Sequence, residues 1–246
     1  MRYLILSDPH ANWEALEAVA QKAGGRYDCA LCCGDLVDYG ADPNAVTEWV
    51  RANCAAVIRG NHDKVSTGVE DIEWFNPAAQ AAAIWTRQAL TEENRAYVRD
   101  LPQGPLPVDG FQLAHGSPTD EDEYLLTADD AVTAFAYLDE PVAFVGHTHL
   151  QGGYIWNRGR VETIPRPVAH FGRRKMEIDF GRAYLINPGS VGQPRDGDPR
   201  AAFALYDSEA CVVEYRRVSY DVREAQRKIR QAGLPAILAD RLGVGR

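Results

Sequence analysis

Short apolar runs alternate with segments of helical periodicity in the N-terminal part of the chain. Residues 3–6, 29–33 and 55–58 are apolar runs of strand length. Between them, apolar side chains recur every three or four residues, as at Leu16 and Val19. This strand–helix–strand–helix–strand order predicts a parallel sheet with right-handed crossover connections.

The alternation continues through the middle of the chain and then changes to a β-rich pattern. Strands are predicted at residues 111–114 and 141–145, separated by a helix that begins at Thr127. The apolar side chains that this helix is expected to turn inward are Val132, Phe135 and Leu138. Further strands are predicted at 154–156, 161–164, 184–186, 202–206 and 211–218, and a last helix follows Asp221.

We expect a single domain over residues 1–246, because no linker, repeat or low-complexity segment interrupts the chain. It divides into a βα-rich block at 1–149, a β-rich block at 150–218 and a C-terminal helix at 221–240. The two blocks are candidates for two sheets of one domain. The predicted fold class is α/β, with two sheets packed face to face and helices covering the outside.

Composition narrows the function only in part. The net charge of −9 argues against generic binding to nucleic acid, which requires a basic surface. Cys29, Cys32 and Cys33 lack a second cysteine pair that would complete a zinc site, so they fit a buried strand better. No apolar stretch approaches the length of a membrane span, and the N-terminus becomes polar too early for a signal peptide, so a cytoplasmic protein is expected.

Five of the six histidines lie in short clusters with aspartate, asparagine and glycine, each soon after a predicted strand. The clusters are Ser7-Asp8-Pro9-His10, Gly34-Asp35, Gly60-Asn61-His62-Asp63, His115-Gly116 and Gly146-His147-Thr148-His149. Ligands of open α/β sheets bind beyond the carboxyl ends of the strands, so the clusters are expected to converge on one rim. These side chains, without cysteine, are typical of a pair of hard-to-borderline metal ions and of hydrolytic chemistry.

Each of these residues taken singly also has a structural explanation. Asp8 fits a helix cap, and residues 60–63 fit a turn. The recurrence of five clusters at the same topological position favours a shared site. His170, the sixth histidine, is interpreted as a surface or loop residue.

In order, the clusters resemble the motif series of the calcineurin-like metallophosphoesterases. That series reads D-x-H, G-D-x-x-D, G-N-H-D/E, a lone H and G-H-x-H, and here it runs from residue 8 to residue 149. Asn187-Pro188-Gly189-Ser190 is similar to a late segment of bacterial members related to the small phosphodiesterases, which extends the resemblance to about residue 207. The resemblance implies a four-layer α/β/β/α sandwich of two mixed sheets, with a dinuclear metal site at the carboxyl ends of the strands.

The resemblance also implies a ligand set. Asp8, His10 and His149 would hold the first ion; Asn61, His115 and His147 the second; and Asp35 would bridge them. The expected cofactors are two divalent transition-metal ions from among Mn, Fe, Zn, Co and Ni, with Mn favoured for activity.

The implied reaction is hydrolysis of a phosphoester by hydroxide derived from a water between the two ions. His62 would protonate the leaving oxygen or stabilise the transition state, and Asp38 would orient His62. Asn12 and Arg195 are weaker candidates for substrate contact, because Asn12 equally fits a helix cap and Arg195 a loop charge.

One departure from the family pattern bears on the substrate. Protein Ser/Thr phosphatases continue G-D-x-x-D with Arg-Gly, whereas this chain has Tyr39-Gly40. The missing arginine favours a phosphodiesterase or a small-molecule phosphatase. The acidic segment 120–123 would repel a polyanion if it overhangs the site, so long nucleic acid is not an expected partner.

Several alternatives stay open at this point. One is a non-catalytic scaffold of the same fold, like the retromer component. Others are a dinucleotide polyphosphate hydrolase, a protein phosphatase and, from another class, an iron-dependent oxygenase. We expect specificity to lie in segments 64–76, 117–126 and 165–182, for which the sequence offers no physical interpretation. The sequence does not determine the oligomeric state.

Overall fold

Two six-stranded sheets form the centre of the computed structural model, which describes residues 1–166 and 172–246. The strands are β1 (Arg2–Leu6), β2 (Cys29–Cys32), β3 (Cys54–Val57), β4 (Leu106–Val108), β5 (Phe111–Leu113), β6 (Val142–Phe144), β7 (Gly152–Asn157), β8 (Arg160–Ile164), β9 (Arg173–Glu177), β10 (Ala183–Asn187), β11 (Ala201–Asp207) and β12 (Val212–Val218). The first sheet has the order β3-β2-β1-β11-β12-β9, and the second has the order β4-β5-β6-β10-β7-β8.

Both sheets are mixed. In the first, β1, β2 and β3 are parallel neighbours, as predicted, and β11 lies antiparallel to β1. In the second, β5, β6 and β10 are parallel, and β7 lies antiparallel to β10.

Helices cover the outer faces of both sheets. They are α1 (Trp13–Ala23), α2 (Pro43–Asn53), α3 (Asn61–Thr67), α4 (Pro77–Ala89), α5 (Glu92–Arg99), α6 (Ala128–Phe135), α7 (Val222–Gln231) and α8 (Ala236–Asp240). Leu16 of α1 and Val46 of α2 pack in one core cluster with Leu4 of β1, outside the first sheet. Ala131 of α6 packs with Leu185 of β10, outside the second. The predicted α/β/β/α sandwich is therefore confirmed.

Strand β1 shows why the predicted strands read as continuous apolar runs. Its side chains alternate between the two faces of the sheet. Tyr3 and Ile5 point into the core between the sheets, whereas Leu4 and Leu6 meet the helical layer. All four are at most 1% exposed. A strand covered on both faces buries every side chain, each contributing about 1.5–3 kcal/mol.

The two sequence blocks do not correspond to the two sheets. Strands β1–β6 belong to the block 1–149 and β7–β12 to the block 150–218. Each sheet takes three strands from each block. The interpretation of one block as one sheet is therefore wrong, because β10 and β11 each pair with a strand of the earlier block.

Two details of the predicted helices differ from the structure. In α6 the inward stripe includes Ala131, Ala134 and Phe135, and Val132 is 45% exposed. The small alanines let the helix lie close to the sheet, and their spacing excludes Val132 from the inner face. The helix predicted at 221–240 is divided into α7 and α8, because Gly233 adopts a left-handed φ of 73° and Pro235 follows it.

Two strands, β4 and β9, were not predicted. Both lie at sheet edges. β4 contains Pro107 and β9 reads RRKME, and proline and clustered charge are common ways of protecting an edge strand. β9 lies in segment 165–182, and His170 of that segment lies outside the described residues.

No helix in the described ranges has both the length and the apolar character needed to cross a membrane. Of the three cysteines predicted to pack in a buried strand, Cys32 is fully buried in β2, Cys33 is fully buried directly after it, and Cys29 at the start of β2 is half-buried. All three are free thiols.

Candidate metal centre

The five polar clusters meet at one rim of the sandwich, beyond the carboxyl ends of the parallel strands. Asp8 follows β1, Asp35 follows β2, and His115 follows β5. Asn61 begins α3 soon after β3, and His147 follows β6. The convergence arises because neighbouring parallel strands end at the same edge of a sheet.

Left-handed backbone conformations aim several of these side chains. Non-glycine residues with positive φ include Asp8 (52°), His10 (44°), Asp35 (55°), His147 (62°) and His149 (59°). Such conformations are uncommon for residues with a Cβ and cost about 1–3 kcal/mol each where they are strained. Backbone hydrogen bonds hold them: the Asp8 amide donates to the Gly34 carbonyl at 3.0 Å, and the His10 amide to the Asp35 carbonyl at 3.0 Å.

The converging side chains form two groups that share one carboxylate. The first group is Asp8, His10, Asp35 and His149, and the second is Asp35, His115 and His147. Within each group the ligand atoms lie within 4.8 Å of one another. Asn61 joins the second group, since its Oδ1 lies 3.3 Å from Nε2 of His115. The structure thus brings all seven predicted ligands together, with Asp35 between the two groups.

Three of the histidines are held in the tautomer that metal ligation requires. Nδ1 of His10 lies 2.9 Å from the Val37 carbonyl, and Nδ1 of His149 lies 2.6 Å from the Gln193 carbonyl. Nδ1 of His115 lies 2.7 Å from the Cys33 carbonyl. A carbonyl only accepts, so each Nδ1 carries the proton and each Nε2 presents a lone pair to the centre.

Atoms without a protein partner test whether cations fit this arrangement. Asp8 Oδ2, Asp35 Oδ2 and His147 Nε2 are buried and lack a hydrogen-bond partner. In addition, Nε2 of His10 and Nε2 of His149 lie only 3.1 Å apart. Buried acceptors that face one another are costly unless a cation lies between them. The set of carboxylate oxygens and imidazole nitrogens therefore fits divalent transition metals.

Asp35 is placed to bridge. Its Oδ1 accepts a hydrogen bond from the His62 amide at 2.9 Å. Its Oδ2 lies 3.5 Å from Nε2 of His10 in the first group and 3.3 Å from Nε2 of His115 in the second. The free oxygen thus faces both groups at once.

Burial and charge set the protonation of these groups. Burial lowers the pKa of His10 and His149 well below its ordinary value, and that of His147 to about 3. Burial alone would raise the pKa of Asp35, but the neighbouring imidazoles, His115 foremost, hold it well below its usual range. Against the effect of its own burial, His115 has its pKa raised to about 10 by Asp35. Asp35 is therefore anionic, and its negative charge favours a cation at Nε2 of His115.

His62 belongs to neither ligand group, although its ring centroid lies 5.0 Å from that of His10, and it is held by its own partners. Its Nδ1 lies 2.8 Å from Oδ2 of Asp38, and the other oxygen of Asp38 accepts a hydrogen bond from the Ser66 hydroxyl at 2.9 Å. Asp38 and Ser66 are fully buried. The contact of His62 with Asp38 predicted from the resemblance is thus present, and Ser66 is a partner that the sequence did not reveal.

Tyr39, which stands where protein phosphatases carry arginine, contacts His62 from the other side. Its hydroxyl lies 3.0 Å from Nε2 of His62. The guanidinium carbon of Arg195 lies 5.9 Å from the centre of the Tyr39 ring. Arg195, a weaker candidate for substrate contact, therefore lies next to the Tyr39–His62 pair.

Asn12, the other weak candidate, is engaged within the protein. Its Oδ1 accepts a hydrogen bond from the Ala15 amide at 3.2 Å and caps α1. Its Nδ2 donates to the Gly192 carbonyl at 2.8 Å. The helix-capping alternative thus describes its position in the fold.

A cleft of about 400 Å³, called the aromatic cleft below, opens beside the metal centre. Its wall is lined by Tyr39, Asn61, His62, Val65, Glu70, Asp71, Trp74, Phe75, Asn76, Ala79, Asp122, Tyr124 and His147. Many of these residues come from segments 64–76 and 117–126. The sequence offered no signal for the individual side chains, because they belong to irregular or locally helical segments without a recognisable motif.

The acidic segment 120–123 contributes to this cleft and is partly neutralised. Nζ of Lys64 lies 3.0 Å from Glu121, 2.8 Å from Asp122 and 2.7 Å from Glu70. Arg59 pairs with Glu121 at 2.9 Å. Asp122 thus places part of the acidic segment at the site. This is the position in which we expect the segment to repel a polyanion.

Comparison with known proteins agrees with this geometry. Residues 1–210 match the calcineurin-like phosphoesterase superfamily domain. An uncharacterized protein of Methanocaldococcus jannaschii is 34% identical over 98% of this chain and 97% of its own length. The crystal structure of a metallophosphoesterase from Sphaerobacter thermophilus is 37% identical, covers 100% of this chain and 99% of its own, and superposes with a TM-score of 0.86. A hypothetical protein of Pyrococcus horikoshii, 21% identical with coverages of 100% and 98%, shares the fold with a TM-score of 0.78.

Proposed function

The chain belongs to the calcineurin-like phosphoesterase superfamily, and from this premise we propose that it hydrolyses a phosphodiester or a small-molecule phosphomonoester with two divalent metal ions. The observation that carries the proposal is the pair of ligand groups that share Asp35. Bound there, two divalent cations would supply Lewis acidity that lowers the pKa of water and neutralises charge on phosphoryl oxygens. Mn²⁺ is our preferred activating ion.

The ligand side chains would each play a distinct part in holding the ions. Asp8, His10 and His149 would hold the first, and Asn61, His115 and His147 would hold the second. Asp35 would be shared by both, because its Oδ2 faces both groups. The hydrogen bonds from Nδ1 to backbone carbonyls fix the imidazoles of His10, His115 and His149 in the ligating orientation.

His62 is the proposed general acid. It lines the aromatic cleft beside Asn61 and His147, so its Nε2 lies near a phosphoryl group held at the metal centre. Asp38 orients the ring and favours a proton on Nδ1, which leaves Nε2 as the atom that exchanges a proton with the leaving oxygen. Tyr39 holds Nε2 in place from the cleft side.

Three observations favour this enzyme over the alternatives. The complete, buried ligand set and the His62–Asp38 pair favour catalysis over a scaffold role. Tyr39 in place of the phosphate-gripping arginine disfavours a protein phosphatase. The carboxylates of the cleft disfavour a dinucleotide polyphosphate, which carries several negative charges. A cytoplasmic location is part of the proposal, since five free cysteines suit a reducing compartment.

Substitution of the bridging carboxylate tests the proposal. We expect Asp35→Asn to lose at least one ion per chain and to reduce hydrolysis of para-nitrophenyl phosphate and its diester to background, while the thermal unfolding transition persists. The measurements are elemental analysis, steady-state kinetics and calorimetry.

Asp28→Asn is the matched control, because Asp28 lies at the surface, paired with Arg2. It should keep both ions and full activity. Undiminished hydrolysis by Asp35→Asn would refute the two-metal assignment.

A further inference from the structure

The aromatic cleft exposes a large ring at its rim. Trp74 is 88% exposed, the highest value among the large hydrophobic side chains of the described residues. Exposed apolar surface of this size beside a polar centre is typical of a ligand-binding surface. An indole face is also a good stacking partner for another planar ring.

Two further rings connect Trp74 with the reacting centre. The ring of Phe75 lies 4.5 Å from that of His62, and the ring of Tyr124 lies 3.9 Å from that of His147, between centroids. The rings of Phe75 and Tyr124 line the same cleft as Trp74. The aromatic surface therefore runs from the proposed general acid and a metal ligand outward to the rim.

The charges of the cleft restrict what can lie against these rings. Glu70, Asp71 and Asp122 line the wall. Lys64 already pairs with Glu70, Glu121 and Asp122 on this wall, and Arg195 lies next to Tyr39 of the cleft lining. An additional phosphate in this space would meet an excess of carboxylates, whereas an uncharged or cationic group would not.

His62 identifies which part of the substrate enters the cleft. A general acid delivers its proton to the leaving oxygen, so the leaving group must lie on the side of the phosphorus that His62 occupies. His62 lines the aromatic cleft. The leaving group therefore extends toward Phe75 and Trp74.

We infer that the substrate is a phosphoester whose leaving group carries a planar aromatic ring without further phosphate, and that Trp74 stacks on this ring. The inference rests on the proposed function, because it uses the position of His62 as general acid. Nucleosides are the probes that test it best, since removing the base leaves the scissile bond unchanged.

Binding without turnover provides the first test. Adenosine, added to the purified full-length protein, should quench tryptophan fluorescence, and ribose should not. Trp74→Ala should weaken adenosine binding about tenfold, a loss typical of one aromatic stacking contact. Tyr137→Ala, which removes an exposed ring outside the cleft lining, should leave binding unchanged.

Hydrolysis provides the second test. Adenosine monophosphate and ribose 5-phosphate, each as monoester and methyl diester, present the same leaving oxygen. The ratio of their kcat/KM values should favour the adenosine compounds by about tenfold and should fall close to one in Trp74→Ala. Trp74→Phe, which keeps a ring, should restore most of the preference.

The outcomes separate the inference from the proposed function. Adenosine binding that depends on Trp74, with no hydrolysis of any ester, would support the ring site and refute the phosphoesterase. Hydrolysis without preference for the adenosine compounds, and without an effect of Trp74→Ala, would overturn the inference and leave the phosphoesterase intact. Absence of both binding and hydrolysis would overturn both.

Discussion

Six of the seven proposed metal ligands are nearly inaccessible to solvent, whereas the aromatic cleft beside them presents exposed rings. Asp8, Asp35 and His115 are at most 1% exposed, but Trp74 is 88% and Tyr124 is 48% exposed. The ligands follow strands and are fixed by strained backbone and buried hydrogen bonds. The aromatic residues Trp74, Phe75 and Tyr124 of the cleft lie on connecting segments. The proposed chemistry, which requires fixed atoms, is thus assigned to residues that follow the strands, and the proposed substrate-selecting surface is assigned to loops.

The contrast has an energetic basis. A buried carboxylate or imidazole is tolerated only with a partner, so the ligand positions allow little variation. An exposed ring on a loop can be exchanged with small effects on stability, usually within about 0.5 kcal/mol. Substitutions in the two regions should therefore differ in kind: those in the centre should remove metal, and those in the cleft should change substrate preference.

The largest expected effect comes from a single methyl group at Gly60. A Cβ there would lie 2.2 Å from Oδ1 of Asp35 and 2.6 Å from Cε1 of His115. The φ of Gly60, −112°, is accessible to alanine, so the substitution introduces a steric clash without backbone strain. We expect Gly60→Ala to displace the bridging carboxylate, lower the metal content and abolish hydrolysis, as measured by elemental analysis and kinetics.

Gly24→Ala is the control for this substitution, since a Cβ at Gly24 meets its nearest atom at 3.4 Å. It should keep metal and activity. A Gly60→Ala protein with two ions and normal turnover would show that the centre is more adaptable than its packing indicates.

Substitution of His62 should have the next largest effect, and a selective one. His62→Ala is expected to keep both ions and to lower kcat by about 10²–10⁴-fold for alkyl esters, whose leaving groups need a proton. Para-nitrophenyl esters, with a stable leaving anion, should lose much less. Equal losses for both classes of ester would remove the general-acid role, and loss of metal would place His62 with the ligands.

Tyr39→Phe should have the smallest effect of the three. It removes the hydroxyl 3.0 Å from Nε2 of His62 and keeps the buried ring. One hydrogen bond contributes about 0.5–1.5 kcal/mol, so kcat should fall about 2–10-fold with KM unchanged. A change confined to thermal stability, with kcat intact, would make Tyr39 a purely structural residue.

Much of the fold and the ligand arrangement could be predicted from the sequence. Strands buried on both faces appear as continuous apolar runs, and the ligands follow these runs at short, recognisable distances. The family motif then groups residues as distant as Asp8 and His149. In contrast, the left-handed conformation of Asp35 could not be predicted, because aspartate enters this region more often than most residues but adopts it in only a minority of cases.

The cleft could not be predicted, for physical reasons. Trp74 and Tyr124 line one cleft only in the folded chain, and in the sequence an isolated aromatic residue in a loop cannot be distinguished from a core residue. Edge strand β9 was not predicted, because charged side chains stand where an apolar pattern would have indicated a strand. Val132 was misplaced because a short helix with small inward residues allows more than one rotation about its axis.

The most direct test of the two-metal claim is the metal content of the full-length protein after reconstitution with Mn²⁺, measured with its hydrolysis of para-nitrophenyl phosphate and the corresponding diester. We expect two ions per chain and turnover of at least one of these esters. Fewer than two ions, or two ions without hydrolysis of either ester, would contradict it.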